Sequence, residues 1–357
     1  MNYEECKFMI EAMSGGKNTI LLDDIGRPSI MVRIPKQTYA SLGISSCTAT
    51  HPAWIVNGVE KDYIYIGKYQ AIIEDGRAYS LPNREPHVNI TFEEALECCE
   101  KKGRGWHLIT NAEWAAIALW CKANGYLPGG NNDYGACLEA PYQRGIPTCF
   151  EPEDLEKTIH VATGSGPKEW AHDKTNEGIF DLNGNVWERI GGLRLYNGEI
   201  QIIPNNDAAA AADQTVNSSL WKAITADGEL VEPGTAGTLK LDYTEAPTAQ
   251  TTKVCLTDEK LAYAQTEEAV FGQQVFGNLT AKPGVKVPDI VKALALMPDG
   301  TGYDGSKLWF RNNEERLPSR GGRWSDGAGT GVFSLGLFSP RSWRHYGVGF
   351  RVAYVEL

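Results

Sequence analysis

Between Arg320 and Arg351 the chain reads RGGRWSDGAGTGVFSLGLFSPRSWRHYGVGFR. Arg323, Asp326, Phe338, Trp343, Arg344, His345 and Tyr346 stand there among glycines and alternating apolar residues. Guanidinium, carboxylate, imidazole and large rings are chemically unrelated, and no catalytic spacing orders them. Trp, Tyr and Arg are, however, the types that dominate binding hot spots, because each covers a large area and keeps a polar handle. Their chemistry would be selective non-covalent recognition, provided that something holds them on one exposed face. The intervening positions are the expected holder. Glycine permits tight backbone geometry, and Val, Phe and Leu build a core beneath.

The bulk of the chain narrows the alternatives. It has 357 residues, 42% apolar and 22% charged, enough to bury a large core without disulfides or metals. The net charge is -11 and no Lys/Arg run offsets it, which argues against a nucleic-acid partner. No apolar run is long enough to cross a membrane. The acidic start MNYEECKFMI does not read as a secretory signal, so the expected location is the cytoplasm, or a virion after assembly and lysis. The cysteines show neither a CxxC nor a zinc-type spacing with histidine. Cys98, Cys99 and Cys121 fall in helix-like segments and read as buried thiols, whereas Cys137 and Cys149 flank a loop where pairing is open. GSGP at 164–167 lacks the Lys and Ser/Thr of a phosphate loop.

Several elements can be placed from local signals. TFEEALECCEKKG predicts a helix capped by Thr91, with Glu94 completing a capping box and Gly103 ending it. TNAEWAAIALWCKANG repeats the pattern: Thr110 caps, Glu113 closes the box, and Asn124-Gly125 stops the helix, with Trp114 and Trp120 expected in the core. DYIYIGKYQAII, residues 62–73, predicts one strand. Residues 1–60 mix short β-like runs with turns. From about 204 the composition shifts to AAAAA and Gly/Thr/Pro-rich pieces, which predicts an insertion with helical stretches near Asp258–Gln274 and Val287–Ala295. Strong β and glycine signals resume at Leu308.

Four short motifs now stand in order: Glu113-Trp114, Gly184–Glu188 (GNVWE), Arg320–Trp324 (RGGRW) and Gly349–Arg351 (GFR). Together they resemble the formylglycine-generating-enzyme-like, or sulfatase-modifying-factor, family, a variant of the C-type lectin fold. The resemblance covers about 61–200 and 305–357. It implies an α+β domain in which two helices pack around short, twisted antiparallel strands. That domain is expected over 61–203 and 301–357, with an insertion at 204–300 and an N-terminal extension, 1–60, that serves attachment to a virion or partner, or oligomerisation. Enzymatic members of the family hold copper on two cysteines near the C-terminus. No cysteine follows Cys255 here. A second enzymatic branch holds iron on three histidines, and the six here show neither HxxxH nor HxH spacing. The expectation is therefore a binding protein and not an enzyme, with a metal-dependent oxidoreductase of the formylglycine-generating type as the alternative. A calcium-dependent sugar lectin is a third reading, but Glu-Pro-Asn and Gln-Pro-Asp are absent.

The C-terminal segment is similar to a narrower group, the variable proteins of diversity-generating retroelements. In that group a template rich in asparagine codons is copied with errors at adenines, so scaffold positions stay fixed while the others scatter. The scaffold letters match at Arg320, Gly321, Gly322, Trp324, Gly327, Gly331, Val332, Phe333, Leu335, Leu337, Arg341, Ser342 and Gly349–Arg351. The remaining positions carry Arg323, Ser325, Asp326, Gly329, Gly336, Phe338, Ser339, Trp343, Arg344, His345, Tyr346 and Gly347. All but Trp343 can be reached from an asparagine codon by changing adenines alone; Trp343 needs a template codon ending in G. The resemblance implies that these twelve residues form a variable ligand-binding face for a protein or bacterial surface ligand, with homo-oligomerisation adding avidity. It also implies at most one cofactor, a calcium ion on Asp181, Glu188 and the carbonyls of Gly184 and Val186.

Overall fold

The computed structural model describes residues 2–247, 253–266, 268 and 270–357. Both predicted capping boxes form. Thr91 caps α2 (Phe92–Glu100) and Thr110 caps α3 (Asn111–Ala123), each answered by its glutamate at the third helical position. Two further helices occur. α1 (Tyr3–Met13) has its own capping box from Asn2 and Glu5, and α4 (Asp289–Ala293) is short.

The strands form two main sheets. A five-stranded sheet runs in the order Asn18–Leu22, Pro28–Pro35, Tyr63–Gly67, Val352–Tyr354, Trp106–Leu108. Along the larger sheet lie Gly272–Val275, Lys307–Phe310, Gly331–Ser339, Glu315–Gly321, Leu193–Tyr196, Glu199–Ile202, Lys240–Tyr243, Val254–Thr257 and Thr280–Ala281. Trp187–Arg189 pairs with Glu315–Gly321 and, in parallel, with Val348–Phe350. α3 is buried nearly all round, which suits its run of alanines. Trp114 on α3 donates from Nε1 to the carbonyl of Val332 at 2.8 Å, tying the helix to the strand that leads into the candidate face. The architecture is β-rich with few helices. Trp114 lies in the core, while Trp120 is only partly buried against it.

The motif residues are long-range clamps. Arg351 donates from Nε and Nη2 to the two carboxylate oxygens of Glu188 at 2.8 and 2.7 Å, and from Nη1 to the carbonyl of Gly67 at 2.8 Å. Arg320 donates to Asn111 Oδ1 at 2.8 Å and to the carbonyls of Leu294 and Ala295. Glu113 receives the Thr110 amide, the Asn206 amide group and His107 Nε2. Segments far apart in the sequence are thereby held to one another by buried, charge-assisted hydrogen bonds.

Several expectations need correction. The strand predicted over 62–73 is two, Tyr63–Gly67 and Ala71–Glu74. Gln70 between them turns its side chain inward to the carbonyls of Asp181 and Val186 and to Glu188, which breaks the pairing. No helix forms over the described part of 258–274. The amides of Ala262 and Gln265 are taken by Asp242 and Asn312, and Gly272–Val275 is an edge strand; residues 267 and 269 of that stretch lie outside the described residues. The helix near 287–295 is limited to α4. Two strands of residues 1–60 share the sheet that holds the C-terminal strand. Within 204–300, Tyr243, Leu256, Phe276 and Leu294 share one core with Trp114 and Val332. Cys137 and Cys149 are both free thiols, and Cys98, Cys99 and Cys121 are buried as expected.

Candidate binding site

The strand Gly331–Ser339 is flanked on both sides, by Lys307–Phe310 and by Glu315–Gly321. Its residues are buried except Phe338, which emerges near its end. Residues 340–347 then loop out and return as Val348–Phe350 beside Trp187–Arg189. The chain between Arg320 and Gly331 turns back through Gly322 at φ 82°, where a Cβ would come 2.3 Å from Thr330. Only glycine fits that approach. Strand end, outer loop and tight turn meet around one cleft.

That cleft has a volume of 320 Å³ and is lined by Arg323, Asp326, Phe338, Trp343 and His345 together with Trp187, Trp309 and Phe271. Its floor is ordered. Trp187 donates from Nε1 to Asp326 Oδ2 at 2.9 Å and meets Trp309 edge-on with centroids 5.2 Å apart. The Asp326 carboxylate also receives the Arg323 backbone amide and Nε. Burial raises the Asp326 carboxyl above its usual value, and the Arg323 charge opposes this. One wall is a run of rings: Phe271 faces Phe338, Phe338 meets Trp343, Trp343 stacks on His345 at 5.5 Å, and His345 stacks on Tyr346 at 4.3 Å. Burial, with the Arg323 charge second, holds the His345 imidazole below its ordinary pKa and so favours the neutral ring.

Beneath Trp343 lies Arg189, fully buried. It donates from Nη2 to the Trp343 carbonyl at 2.6 Å, and its charge sits 5.6 Å from the centre of the Trp343 ring. Burial lowers it to about 10. Its neighbour in sequence, Glu188, is held by Arg351.

The other candidate residues divide by burial. Tyr346 is exposed at 44% and tilts over Trp324; Arg344 is exposed and pairs with Glu94 at 2.7 Å; Ser325 is half-buried in the turn. Gly329, Gly336, Ser339 and Gly347 are buried and do not lie on an exposed face. Gly336 sits mid-strand, where a Cβ would meet Ser319 Oγ at 2.9 Å, and Gly347 is closed in by Arg323 and Trp324. Codon pattern gives no information on burial, which is why it grouped these four with the others. Trp187, Trp309 and Phe271 were not foreseen. Trp309 carried a readable signal: Leu308 and Phe310 on either side are fully buried, so strand alternation sends Trp309 to the opposite face.

Asp181 and Glu188 do not fit a calcium ion. Both Glu188 oxygens are held by Arg351, and Gln70 adds a third hydrogen bond, so the local cation is already a guanidinium. Asp181 accepts from the Gly164 amide at 2.8 Å; its other oxygen has no partner, and burial pushes its carboxyl up to about 6.

The cleft thus combines large aromatic surfaces with the Asp326 carboxylate and the Arg323 guanidinium. No family model matches the chain, and no curated protein does. Among solved structures the chain is similar to Treponema denticola variable protein 1, at 12% identity over 94% of this chain and 98% of that one, with a TM-score of 0.35. It is also similar to the Major Tropism Determinant P3c variant, at 10% identity over 94% of this chain and 71% of that one, TM-score 0.30. PvdO from Pseudomonas aeruginosa follows at 12% identity over 94% and 97%, TM-score 0.24. At such scores the backbones diverge widely, and what the cleft can do is read from its own residues.

Proposed function

We propose that the chain is a ligand-binding protein whose cleft is diversified by adenine-directed copying of its C-terminal segment. One observation carries this reading. Within residues 320–351, five large side chains outside the scaffold pattern, Arg323, Asp326, Phe338, Trp343 and His345, line one cleft, while the scaffold residues Arg320, Trp324, Phe333, Leu335 and Arg351 are buried. Aromatic stacking and a charged rim suit selective, non-covalent capture of a protein or another bacterial surface molecule. Attachment to a virion or a carrier assembly, in several copies, would convert modest single-site affinity into avidity. The exposed Phe8 and Met13 on α1 supply apolar area for such attachment. The test is retention of the purified chain on a panel of intact bacteria and their surface extracts. Wild-type protein binds a narrow subset and Trp343→Ala loses that binding. Equal retention of both proteins on every surface would overturn the reading.

A further inference from the structure

Against the Tyr346 carbonyl and the Trp324 ring a second group of side chains converges. Among the described residues, Glu85, Cys149 and His160 form a set whose ligand atoms all lie within 4.8 Å of one another. They come from separate places. Glu85 is on the loop after Arg77–Ser80, and Cys149 and His160 are cross-strand partners in the hairpin of Pro147–Glu151 and Asp154–Val161. His160 is 2% exposed, with Nδ1 2.6 Å from Glu85 Oε1. Its Nε2 lies 2.9 Å from the Tyr346 carbonyl, an acceptor, so Nε2 carries the proton. Nδ1 faces the Glu85 carboxylate, and the metal-free site holds a second proton between the two.

We propose that Glu85, Cys149 and His160 bind a zinc ion that braces the loop bearing Tyr346. One thiolate, one imidazole and one carboxylate suit a borderline-soft, tetrahedral cation, with water in the fourth position. Bond lengths of about 2.0–2.3 Å place tetrahedral ligand atoms roughly 3.3–3.8 Å apart, inside the spread seen here. The ion takes the place of the short Glu85–His160 contact. Glu85, with 43% of its side chain exposed, has room to move outward by about 1 Å. Binding releases two protons to solvent, one from the Cys149 thiol and one held between His160 Nδ1 and Glu85, because the ligands are the thiolate, the neutral imidazole and the carboxylate. The His160 Nε2–H to Tyr346 carbonyl bond is then the outer contact that fixes the ring of a metal-bound histidine. Tyr346 lies next to His345 in the ring stack, and the Asn89 amide reaches the carbonyls of His345 and Val348. The ion therefore sits one hydrogen bond away from the cleft wall. The site does not depend on how the cleft is used.

The test uses the purified full chain with zinc chloride, and cobalt(II) as a coloured substitute. Wild-type protein and a Cys47→Ser control, altered at an exposed thiol elsewhere, are expected to bind one ion per chain with tetrahedral cobalt absorption and a thiolate charge-transfer band. Cys149→Ser and Glu85→Gln are expected to weaken binding by at least about 100-fold, and the charge-transfer band disappears with Cys149. Zinc should also slow amide exchange across 343–348 in wild type and leave Cys149→Ser unchanged. Absence of stoichiometric binding, or binding by Cys149→Ser equal to wild type, would overturn the site. Binding without slower exchange would overturn the brace.

Discussion

Arg320 and Arg351 bound the same segment that carries Arg323 and Arg344, yet the two pairs occupy opposite environments. Arg320 and Arg351 are fully buried, and Arg351 spends its donors on Glu188 and the carbonyls of Gly67 and Phe180. Arg344 is half exposed and makes a single surface ion pair, and Arg323 bonds a carboxylate three residues away. One residue type thus does two jobs. A buried guanidinium fixes backbone positions because most of its donors are spent on carbonyls and a carboxylate far along the chain, although Arg320 Nη1 is left without a partner. An exposed one is replaceable because water takes over whatever it leaves. The contrast explains how one stretch can be rigid and changeable together: frame and face are set by burial, residue by residue.

The largest effect expected is on the frame. Arg351→Met leaves the Glu188 carboxylate buried and unpaired, and should cost about 3–5 kcal/mol, read as a drop in the urea midpoint. Adding Glu188→Leu should recover much of that loss, since it removes the stranded charge. If Arg351→Met were as harmless as a surface change, the distinction between the two arginine pairs would fail.

The cleft should respond in the other currency, binding. Phe338→Ala removes the ring that joins Phe271 to Trp343. It should weaken a selected ligand by about 2 kcal/mol, roughly 30-fold, while stability falls by only about 1 kcal/mol. Titration calorimetry and urea unfolding on the same preparation separate the two numbers.

Within the frame, Asp181 is the residue that does not fit. Its carboxyl is raised to about 6 by burial, so the folded state favours the protonated form and loses stability as pH climbs from its unfolded value towards 6. Asp181→Asn should therefore gain about 1–3 kcal/mol at pH 7–8 and much less at pH 4, where the wild-type carboxyl is already protonated when folded. Asn also suits the left-handed backbone there, φ 63°. A gain independent of pH would show that ionisation is not the cause.

The smallest effect is expected at the face. Arg344→Ala should change stability by no more than about 0.5 kcal/mol, because its pair with Glu94 is exposed on both sides.

What could be read from sequence followed the range of the interactions. The capping boxes of α2 and α3 are written within three residues, and both were legible. The role of Arg351 was not, since its partner lies 163 residues away. That distance also explains the calcium expectation: Asp181 and Glu188 look like free oxygen ligands until Arg351 is placed between strands. Of the large candidate residues, Arg323, Asp326, Phe338, Trp343 and His345 line one cleft, whereas Arg344 and Tyr346 do not. The buried Gly336 and Ser339 were not separable from them, because a codon pattern does not record which side of a strand faces the core. Phe271 was out of reach altogether, as it belongs to the insertion and arrives by folding alone.

The most direct test of the central claim is to sequence the DNA downstream of the gene and look for a near-copy of the part encoding residues 320–351. The account predicts a copy that differs almost only at adenines, with its differing codons falling on Arg323, Asp326, Phe338, Trp343, His345 and Tyr346 while those for Arg320, Trp324 and Arg351 are identical. A locus without any near-copy, or one whose differences fall on the buried frame, would contradict it.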